Sequence, residues 1–449
     1  MEINRVLKNN HNAMTLQRTN RRSFLKASAA LAAASPFLLP SRLWAAETGP
    51  NSKIVMGFIG VGTQGRGLLN GFLHSDDVRV VAVCDVDTTR RDHAAKTVDD
   101  FYASKNQAGG KGCANIKDFR ELLNRKDIDA VCIATPDHWH AIPVVMACEQ
   151  GKDIYCEKPL SLTIGEARAM ANAVRQHNRV FQTGSMQRSS REFLKACELV
   201  RNGVIGDVKE IYISVGGPSK WCDLPEEPME PGLDWDLWLG PAPKRPYNSI
   251  LSPRGVHKHF PDWRNYREYS GGMMTDWGAH HFDIAQWGLG MDESGPVEII
   301  PPDGKDVKRL TYKYKNGTVM YHGGLQGYGF GVVFVGTKGK ICVDRGRFKA
   351  EPEELAADYK PNALPIKLYK SDNHLRDFLQ CVRSRQRPIC DVEVGARSVT
   401  VCHLGNLAYW NKRPLKWDPQ AEKFVGDAEA NTWIKRERRS PWDKYLPTA

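Results

Sequence analysis

The chain has 449 residues, 41% of them hydrophobic, which suits a globular protein with a sizeable core and more than one domain. Its formal net charge is +11, but the first 46 residues hold seven basic residues and one acidic residue, and the rest carries 56 Lys and Arg against 51 Asp and Glu, or +5. This ordinary balance, without a basic block, gives no indication of nucleic-acid binding. No apolar run reaches the roughly 18 residues that a membrane span needs.

The first 46 residues carry the pattern of an export signal. Arg21 and Arg22 lie in the stretch NRRSFLK, residues 27–39 are mildly apolar, and Ala45 and Ala46 offer small side chains for cleavage. This order is typical of a twin-arginine signal, and the alternative is an amphipathic helix with a chance arginine pair. We therefore predict a periplasmic or otherwise exported protein that uses the twin-arginine export machinery, and we leave residues 1–46 out of the fold.

A short apolar run over residues 53–59 predicts a buried strand, and it ends at the sequence GVGTQG. The spacing of Gly60, Gly62 and Gly65 lets a backbone turn approach a dinucleotide's pyrophosphate, and Thr63 and Gln64 lie inside that turn. A helix is expected directly after it, over residues 67–74. The segment therefore predicts the phosphate-binding turn of a dinucleotide site.

A second strand is predicted over residues 78–85, and Asp85 follows Gly65 by 20 residues. A carboxylate at this place accepts hydrogen bonds from the ribose hydroxyls of the adenosine half and repels a 2′-phosphate. The position therefore favours NAD as the cofactor. Arg90 and Arg91 follow closely and keep NADP as the less favoured alternative.

Two further buried strands are predicted over residues 130–135 and 152–157, with a helix over residues 142–150 between them. Alternating strands and helices predict a doubly wound parallel sheet, an α/β Rossmann domain that we assign to residues 47–170. Such sheets bind ligands at the carboxyl ends of their strands, so the segments that follow these strands hold candidate cleft residues. They are Thr135, Pro136, His140, Glu157 and Lys158.

The chain then changes to short strands joined by turns, which predicts an α+β domain over residues 171–410 with a largely antiparallel sheet. A Trp- and Pro-rich insertion, residues 216–270, is too long for a plain connection. Residues 411–449 are a polar tail expected to pack on the domains. The predicted strands span residues 209–215, 297–300, 309–314, 318–322, 331–335 and 340–344, and two late helices span 372–385 and 395–410.

The eleven Cys residues include no CxxC pair, and several lie in apolar runs. Such positions are typical of small core residues. We therefore predict neither a disulfide framework nor a metal site.

Five segments, in this order, carry a resemblance to a known family: GFIGVGTQGRG, CDVD, ATPDHWH, CEKP and GGMMTDWGAHHFDIAQW. They resemble the Gfo/Idh/MocA family of NAD(P)-dependent sugar oxidoreductases. The predicted export signal and the Trp-rich insertion resemble those of a subgroup of this family that is found in bacteria that degrade carbohydrates. The sequence EKP, followed over a hundred residues later by Asp276 and His280, is the most specific part. The resemblance implies a Rossmann domain and an α+β domain whose open sheet supports a homo-oligomer, a dimer or tetramer.

The resemblance also implies roles for individual residues. Lys158 and His280 match the family's catalytic lysine and histidine, and Asp276 matches the aspartate beside them. The positions that match the family's cofactor site are Gly60, Gly62, Gly65, Asp85, Thr135, Pro136, His140 and Glu157.

This set of residues suits the oxidation of a secondary alcohol, or the reverse reaction. His280 is the expected base because an imidazole titrates near neutral pH, and Lys158 would stabilise alkoxide charge on the same oxygen. The doublet of His280 and His281 leaves open which ring faces the cleft, and a cis peptide is expected before Pro159. The candidate substrate contacts are Arg188, His257, Trp263, Arg264, Tyr266 and His281.

The leading hypothesis is an exported NAD-dependent oxidoreductase that oxidises a secondary hydroxyl of a sugar or glycoside and keeps and recycles its nucleotide. C3 is one candidate position, and the sequence leaves the position open. A second hypothesis is a redox-assisted glycosidase on the same scaffold. A third is a sugar-binding protein without catalysis, which an intact set of Lys158, Asp276 and His280 argues against.

Overall fold

The computed structural model describes residues 53–105, 112–360 and 363–446. The predicted twin-arginine signal lies outside these residues. In the part of the chain that the structure describes, no helix is long and apolar enough to cross a membrane. Two sheets, each covered by helices, organise the chain.

The first sheet contains six parallel strands in the order β3-β2-β1-β4-β5-β6, the arrangement of a doubly wound nucleotide-binding fold. The sequence predicted this parallel sheet and four of its strands, but neither β3 nor β6, the two strands at its edges. Each has three residues, and such a strand is too short to show a periodic pattern. Strand β6 also lies beyond the predicted boundary at residue 170. The strands are β1 (Ile54–Ile59), β2 (Val78–Cys84), β3 (Ala114–Ile116), β4 (Ala130–Ile133), β5 (Asp153–Cys156) and β6 (Phe181–Thr183).

The register of this sheet aligns the carboxyl ends of its central strands. Ile59 pairs with Cys84 on one side and with Ile133 on the other, and Ile133 pairs with Cys156. Because parallel strands in register end at one edge, the residues that follow them must meet there. The sheet thus brings four segments, separated by up to a hundred residues, to one edge.

Helices cover both faces of this sheet and bury its apolar side chains. Phe58 of β1 and Phe72 of α1 are fully buried and in edge-to-face contact, with ring centroids 5.9 Å apart. Full burial of such a side chain contributes about 1.5–3 kcal/mol to folding. The helices of this part of the chain are α1 (Thr63–Leu73), α2 (Thr88–Ser104), α3 (Phe119–Asn124), α4 (Ala141–Glu149) and α5 (Ile164–Gln176).

The second sheet has nine strands in the order β13-β12-β11-β7-β10-β9-β8-β14-β15. All its pairs are antiparallel except β7 with β10, so the predicted, largely antiparallel sheet is confirmed. The strands are β7 (Val208–Ser214), β8 (Glu298–Ile300), β9 (Thr311–Lys313), β10 (Val319–His322), β11 (Gly331–Gly336), β12 (Lys340–Asp344), β13 (Arg347–Glu351), β14 (Leu415–Asp418) and β15 (Lys423–Phe424).

Three helices pack their apolar sides against this sheet, and Phe193, Phe282 and Phe334 are fully buried between the layers. The helices of the second half are α6 (Arg191–Arg201), α7 (Trp235–Leu239), α8 (Met273–Asp276), α9 (Gly278–Leu289), α10 (His374–Ser384) and α11 (Val392–Asn411). The packing helices are α6, α9 and α11. Helix α10 belongs elsewhere, because its Phe378 is buried in the core of the first sheet.

The insertion, residues 216–270, has a small core of its own that includes Trp238, Tyr247 and Trp263. Trp235 and Trp238 stack with ring centroids 4.6 Å apart. The insertion docks on the first domain, where Leu233 forms an isolated β-bridge with Asp87. Its position beside the carboxyl edge of the first sheet makes it part of the site described next.

The tail returns across the molecule. Trp417 is buried in the second core, and Trp442 is buried against Trp139, with ring centroids 4.7 Å apart. None of the cysteines in the described ranges is paired, and nine of them are buried. Their chemistry is therefore that of small core side chains.

Candidate active site

One large cavity, about 780 Å³, opens along the carboxyl edge of the first sheet. Segments that follow four of its strands, the insertion, and helices α8 and α9 all contribute to its wall. Of the predicted site residues, those that line it are Gly60, Gly62, Thr63, Gln64, Asp85, Thr135, Pro136, Glu157, Lys158, His257, Trp263, Arg264, Asp276 and His280.

The glycine turn after β1 needs glycines for steric reasons. Gly60 has φ +84°, and a Cβ there would lie 2.8 Å from the carbonyl oxygen of Ala134. A Cβ on Gly65 would lie 2.0 Å from the carbonyl oxygen of Gly60. Gly62 differs, because a Cβ there would have no protein atom within 4 Å. Gly60 and Gly65 therefore shape the turn, whereas Gly62 leaves open space beside it.

That open space lies at the start of α1. Gly62 caps the helix without a side-chain hydrogen bond, and the first turn holds no acidic residue. An uncapped helix start presents backbone N–H groups and the positive end of the helix dipole, which suits a pyrophosphate. The buried Thr135 Oγ1 also lacks a hydrogen-bond partner among the described residues. These features fit a dinucleotide.

Asp85 follows β2 with its carboxylate held in place. Oδ2 accepts from Val61 N at 2.9 Å and Oδ1 from Asp87 N at 3.0 Å. Each oxygen keeps a second acceptor site, as a ribose diol requires. Burial raises the pKa of Asp85, and the nearby Arg90 opposes that rise.

Glu157 and His140 organise the floor of the cleft. Glu157 is buried, and its carboxylate accepts from Gln64 Nε2 at 2.9 Å and from Lys158 N at 3.1 Å. His140 is buried too, and its two ring nitrogens lie 2.9 Å from the carbonyl oxygens of Pro159 and Thr135. It does not line the cavity. The structure therefore places His140 beneath the cavity wall, where its ring contacts the backbone on both sides of the cleft floor.

Lys158 reaches across the cleft to α8. Its Nζ lies 2.8 Å from Asp276 Oδ1 and 3.1 Å from the Asp276 carbonyl oxygen, and the peptide before Pro159 is cis, as expected. Arg264 Nε lies 3.4 Å from the same Oδ1. Burial alone would raise the pKa of Asp276, but Lys158 and Arg264 outweigh burial and hold that pKa below its usual value. Asp276 is therefore an anion shared by two cations.

His280 lies one turn further along, on α9, and lines the cavity while only 7% exposed. Its Nδ1 is buried without a hydrogen-bond partner in the described chain. Burial, followed by the positive charges of Lys158 and Arg345, lowers the pKa of His280 well below its usual value. The imidazole is therefore neutral near pH 7 and can accept a proton.

Three predicted substrate contacts do not reach the cavity. Arg188 is buried and bound by Asp283 Oδ2 at 2.8 Å and Asp292 Oδ1 at 2.7 Å, because a guanidinium out of water requires anionic partners. Tyr266 is buried in the core of the insertion. His281 is fully buried. It follows His280 on the same helix, and successive helical residues point about 100° apart, so the two rings face different sides. The structure therefore does not bring these three residues to the cavity wall.

Sequence reasoning also missed residues that line the cavity. Asp137 accepts from Ser270 Oγ at 2.6 Å, and burial raises its pKa to about 7. Arg345, in the turn between β12 and β13, lines the cavity near His280. A loop of the insertion, residues 252–263, which we call the covering loop, forms a further part of the wall, and the sequence predicted only His257 and Trp263 of it. For Asp137 the sequence did hold a signal, because this residue follows β4 in the segment that includes the predicted cleft residues Thr135 and Pro136. We found no such signal for Arg345.

The cavity runs from the glycine turn of a doubly wound sheet to a lysine, an aspartate and a neutral histidine. This combination defines a class of protein, the oxidoreductases that depend on a nicotinamide dinucleotide. Two models of an oxidoreductase family match the chain: its NAD-binding Rossmann fold over residues 54–185, and its C-terminal alpha/beta domain over residues 175–444. The chain belongs to this family, the Gfo/Idh/MocA oxidoreductases, which confirms the resemblance seen in the sequence.

Relatives of this chain include two kinds of protein. The uncharacterized oxidoreductase YrbE of Bacillus subtilis is 24% identical over 357 residues, which are 75% of this chain and 89% of that protein. An alpha-N-acetylgalactosaminidase of Shewanella oneidensis is 32% identical over 160 residues. That match spans 35% of this chain and 34% of the glycosidase.

Solved structures share the fold. An aldose-aldose oxidoreductase from Caulobacter crescentus, complexed with glycerol, superposes with a TM-score of 0.55 at 18% identity and covers 81% of this chain and 99% of its own. The WlbA dehydrogenase from Bordetella pertussis, in complex with NADH and UDP-GlcNAcA, superposes with a TM-score of 0.56 at 14% identity. The match covers 82% of this chain and 99% of the WlbA chain.

Proposed function

We propose that this protein is an exported, NAD-dependent oxidoreductase that reversibly oxidises a secondary hydroxyl of a sugar or glycoside. The observation that carries the proposal is the continuity of one cavity from Gly62 to Lys158, Asp276 and His280. The names of the aldose-aldose oxidoreductase and of the WlbA complex support a carbohydrate as the substrate class.

Oxidation of an alcohol releases a hydride and a proton, and the bound nicotinamide supplies the hydride acceptor. His280 accepts the hydroxyl proton, because its neutral ring lines the cavity and its Nδ1 has no hydrogen-bond partner in the described chain. Lys158 holds the reacting oxygen. Two of its three N–H donors are directed at Asp276, so a third is free to stabilise developing alkoxide charge.

NAD is the proposed cofactor, and NADP is disfavoured. Asp85 places a carboxylate at the ribose position. Arg90, which could accommodate a 2′-phosphate, is buried, and donates to Ser252 Oγ at 3.3 Å, the Gly255 carbonyl at 3.3 Å and the Pro253 carbonyl. Its donors are therefore engaged by the covering loop.

The nucleotide is proposed to stay bound between turnovers. Thr63, in the glycine turn, donates to the His259 carbonyl at 2.8 Å, and Arg66 donates to the His257 carbonyl. Together with the Arg90 contacts, these bonds hold the covering loop over the glycine turn. Free NAD is scarce outside the cytoplasm, so an exported enzyme gains from retaining and recycling its nucleotide, with a second sugar as the hydride acceptor.

A redox-assisted glycosidase is the second candidate, and the partial similarity to an alpha-N-acetylgalactosaminidase favours it. Oxidation at C3 would acidify the C2 proton, and elimination would break the glycosidic bond and leave an unsaturated keto-sugar. Water would then add at C1, and the reduced nucleotide would return its hydride to C3. The net reaction is hydrolysis, with no change in oxidation state. A sugar-binding protein without catalysis is disfavoured because Lys158, Asp276 and His280 meet in one cavity.

One experiment tests the cofactor and the reaction together. The purified protein is denatured, the released nucleotide is identified, and intact protein is screened against nitrophenyl glycosides. Bound NAD and an oxidised sugar, at C3 or another carbon, support the oxidoreductase. Nitrophenol without net oxidation supports the glycosidase, and the absence of any nucleotide contradicts both.

Export and assembly are tested separately. If residues 1–46 direct export, replacing Arg21 and Arg22 with Lys should leave the protein in the cytoplasm on cell fractionation. The proposed dimer or tetramer should appear in sedimentation of the mature protein, and a monomer at all concentrations would contradict it.

A further inference from the structure

Arg345 lies in the turn between β12 and β13 and projects to the wall of the cavity near His280. Its guanidinium carbon lies 4.6 Å from the ring centroid of Trp277, a cation–π contact. With the Gln187 amide in the orientation that satisfies both neighbours, Arg345 Nε donates to Gln187 Oε1 at 3.2 Å and Gln187 Nε2 donates to the His280 carbonyl at 2.9 Å. One side chain thus links Arg345 to the backbone of the proposed base.

These contacts engage the face and the Nε edge of the guanidinium, but not its outer edge. Within the described ranges, Arg345 forms no ion pair with a carboxylate and no hydrogen bond through its two terminal nitrogens. An arginine on a free surface is ordinarily mobile and solvated. Arg345, although exposed, is held against an indole ring and an amide with its remaining donors free.

The surrounding charges favour an anion at this place. At the reacting end of the cavity, Lys158 and Arg264 both lie beside the carboxylate of Asp276. Burial raises the pKa values of two further carboxyl groups in the cavity wall, those of Glu157 and Asp137, which disfavours their charged forms. Arg345 adds a positive charge that forms no ion pair with a carboxylate among the described residues. Glu192, also on the cavity wall, accepts from Gly346 N at 3.0 Å and so faces the backbone of the same turn.

We infer that Arg345 is a specificity-determining residue that binds an anionic substituent of the substrate, either the carboxylate of a uronic acid or a sulfate ester on a sugar. The planar fork of a guanidinium matches both groups through two parallel N–H donors. The inference rests on the proposed oxidation of a sugar, and it restricts the substrate class to acidic sugars. The sugar then lies between the anion site at Arg345 and the reacting hydroxyl at Lys158 and His280.

The test compares matched substrates on the holoenzyme with its bound nucleotide. Methyl glucoside is compared with methyl glucuronide, methyl galactoside with methyl galacturonide, and the galactoside with its 6-sulfate. The kcat/KM of each is taken from single-turnover reduction of the bound nucleotide over a range of substrate concentrations. Wild-type protein should prefer an acidic member by about tenfold or more, and Arg345→Gln should remove most of that preference through KM. Arg345→Lys should restore part of it, because an ammonium keeps the charge without the fork.

Arg347→Gln is the matched control. Arg347 lies on β13, two residues away, donates to the Phe330 carbonyl and does not line the cavity, so its loss should leave the preference intact. The preference should also weaken as salt rises. A preference for the uronide or for the sulfate identifies which anion is bound.

The outcomes separate this inference from the proposed function. If neutral sugars are oxidised as well as acidic ones, or if Arg345→Gln keeps the acidic preference, the inference is overturned while the oxidoreductase stands. If no sugar, neutral or acidic, reduces the bound nucleotide, the proposed function itself fails.

Discussion

Lys158 Nζ lies 2.8 Å from Asp276 Oδ1, although 118 residues separate the two in the chain. The lysine follows the fifth strand of the parallel sheet, and the aspartate ends a short helix beside the second core. The pair therefore joins the nucleotide-binding part of the molecule to the part that supplies His280. A charge-assisted bond of this kind also fixes the direction of the third, unused N–H donor of Lys158.

Replacing Lys158 with Met should lower kcat for sugar oxidation by about 100- to 1,000-fold, the cost of losing a donor to developing negative charge. Asp276 would keep Arg264 as a partner, so the fold and the bound nucleotide should persist. The measurement is single-turnover reduction of the nucleotide. Lys244→Met, at an exposed lysine of the insertion, is the control and should retain full activity. Unchanged turnover in Lys158→Met would place the chemistry elsewhere.

Gly62→Ala should weaken nucleotide retention by about tenfold or more without unfolding the protein. Its Cβ would enter open space beside the glycine turn, at a φ of −65° that alanine adopts freely. Gly67→Ala, in the first turns of the same helix and also facing open space, is the matched control. It should keep the nucleotide and gain about 0.5–1 kcal/mol of stability. Equal nucleotide content in all three proteins would contradict the phosphate-binding role of Gly62.

Local patterns were enough to predict the parallel sheet and the residues at its carboxyl edge. Apolar runs with glycine and aspartate at their ends identify Gly60 and Asp85. The register that aligns Ile59 with Cys84 and Ile133 was not predicted, although it is what brings these residues to one edge. Contacts between residues far apart in the chain could not be predicted in this way. Nothing local to Arg188 signals the two aspartates that bury it, and nothing local to Arg345 places it beside His280.

The doublet at His280 and His281 shows the same limit. Both rings are on one helix, and the sequence left open which of them faces the cleft. Packing decides it: the ring of His281 lies 4.9 Å from that of Phe330 and its Nε2 is 3.7 Å from Asp344, on the side away from the cavity. Of the covering loop, the sequence predicted His257 and Trp263 as contacts but not how the loop is held in place, because its contacts with Arg66 and Arg90 join segments over 160 residues apart.

Arg90→Met should accelerate nucleotide release by about tenfold, because it removes the hydrogen bonds that hold the covering loop. The measurement is the rate at which a labelled nucleotide leaves the holoenzyme, followed together with thermal unfolding. Arg254→Met is the control, since this exposed arginine of the same loop donates within the insertion to the Pro228 carbonyl. Faster release in both variants would indicate general loosening of the insertion instead of a specific anchor.

His403→Gln should make the protein less sensitive to acid. The His403 ring is buried, with Nε2 3.0 Å from the Ser161 carbonyl, and burial lowers its pKa to about 4. The unfolded chain, with a histidine pKa near 6.5, binds a proton first as the pH falls, so wild-type stability is lost between about pH 6.5 and 4. The loss from this one residue is at most about 1.4 kcal/mol per pH unit, or about 3 kcal/mol in total. Glutamine keeps an N–H donor for Ser161 but does not titrate. Urea unfolding at pH 7 and pH 5 should therefore show a smaller decrease in the free energy of unfolding for the variant, and an equal decrease in both proteins would show that His403 does not stay neutral in the fold.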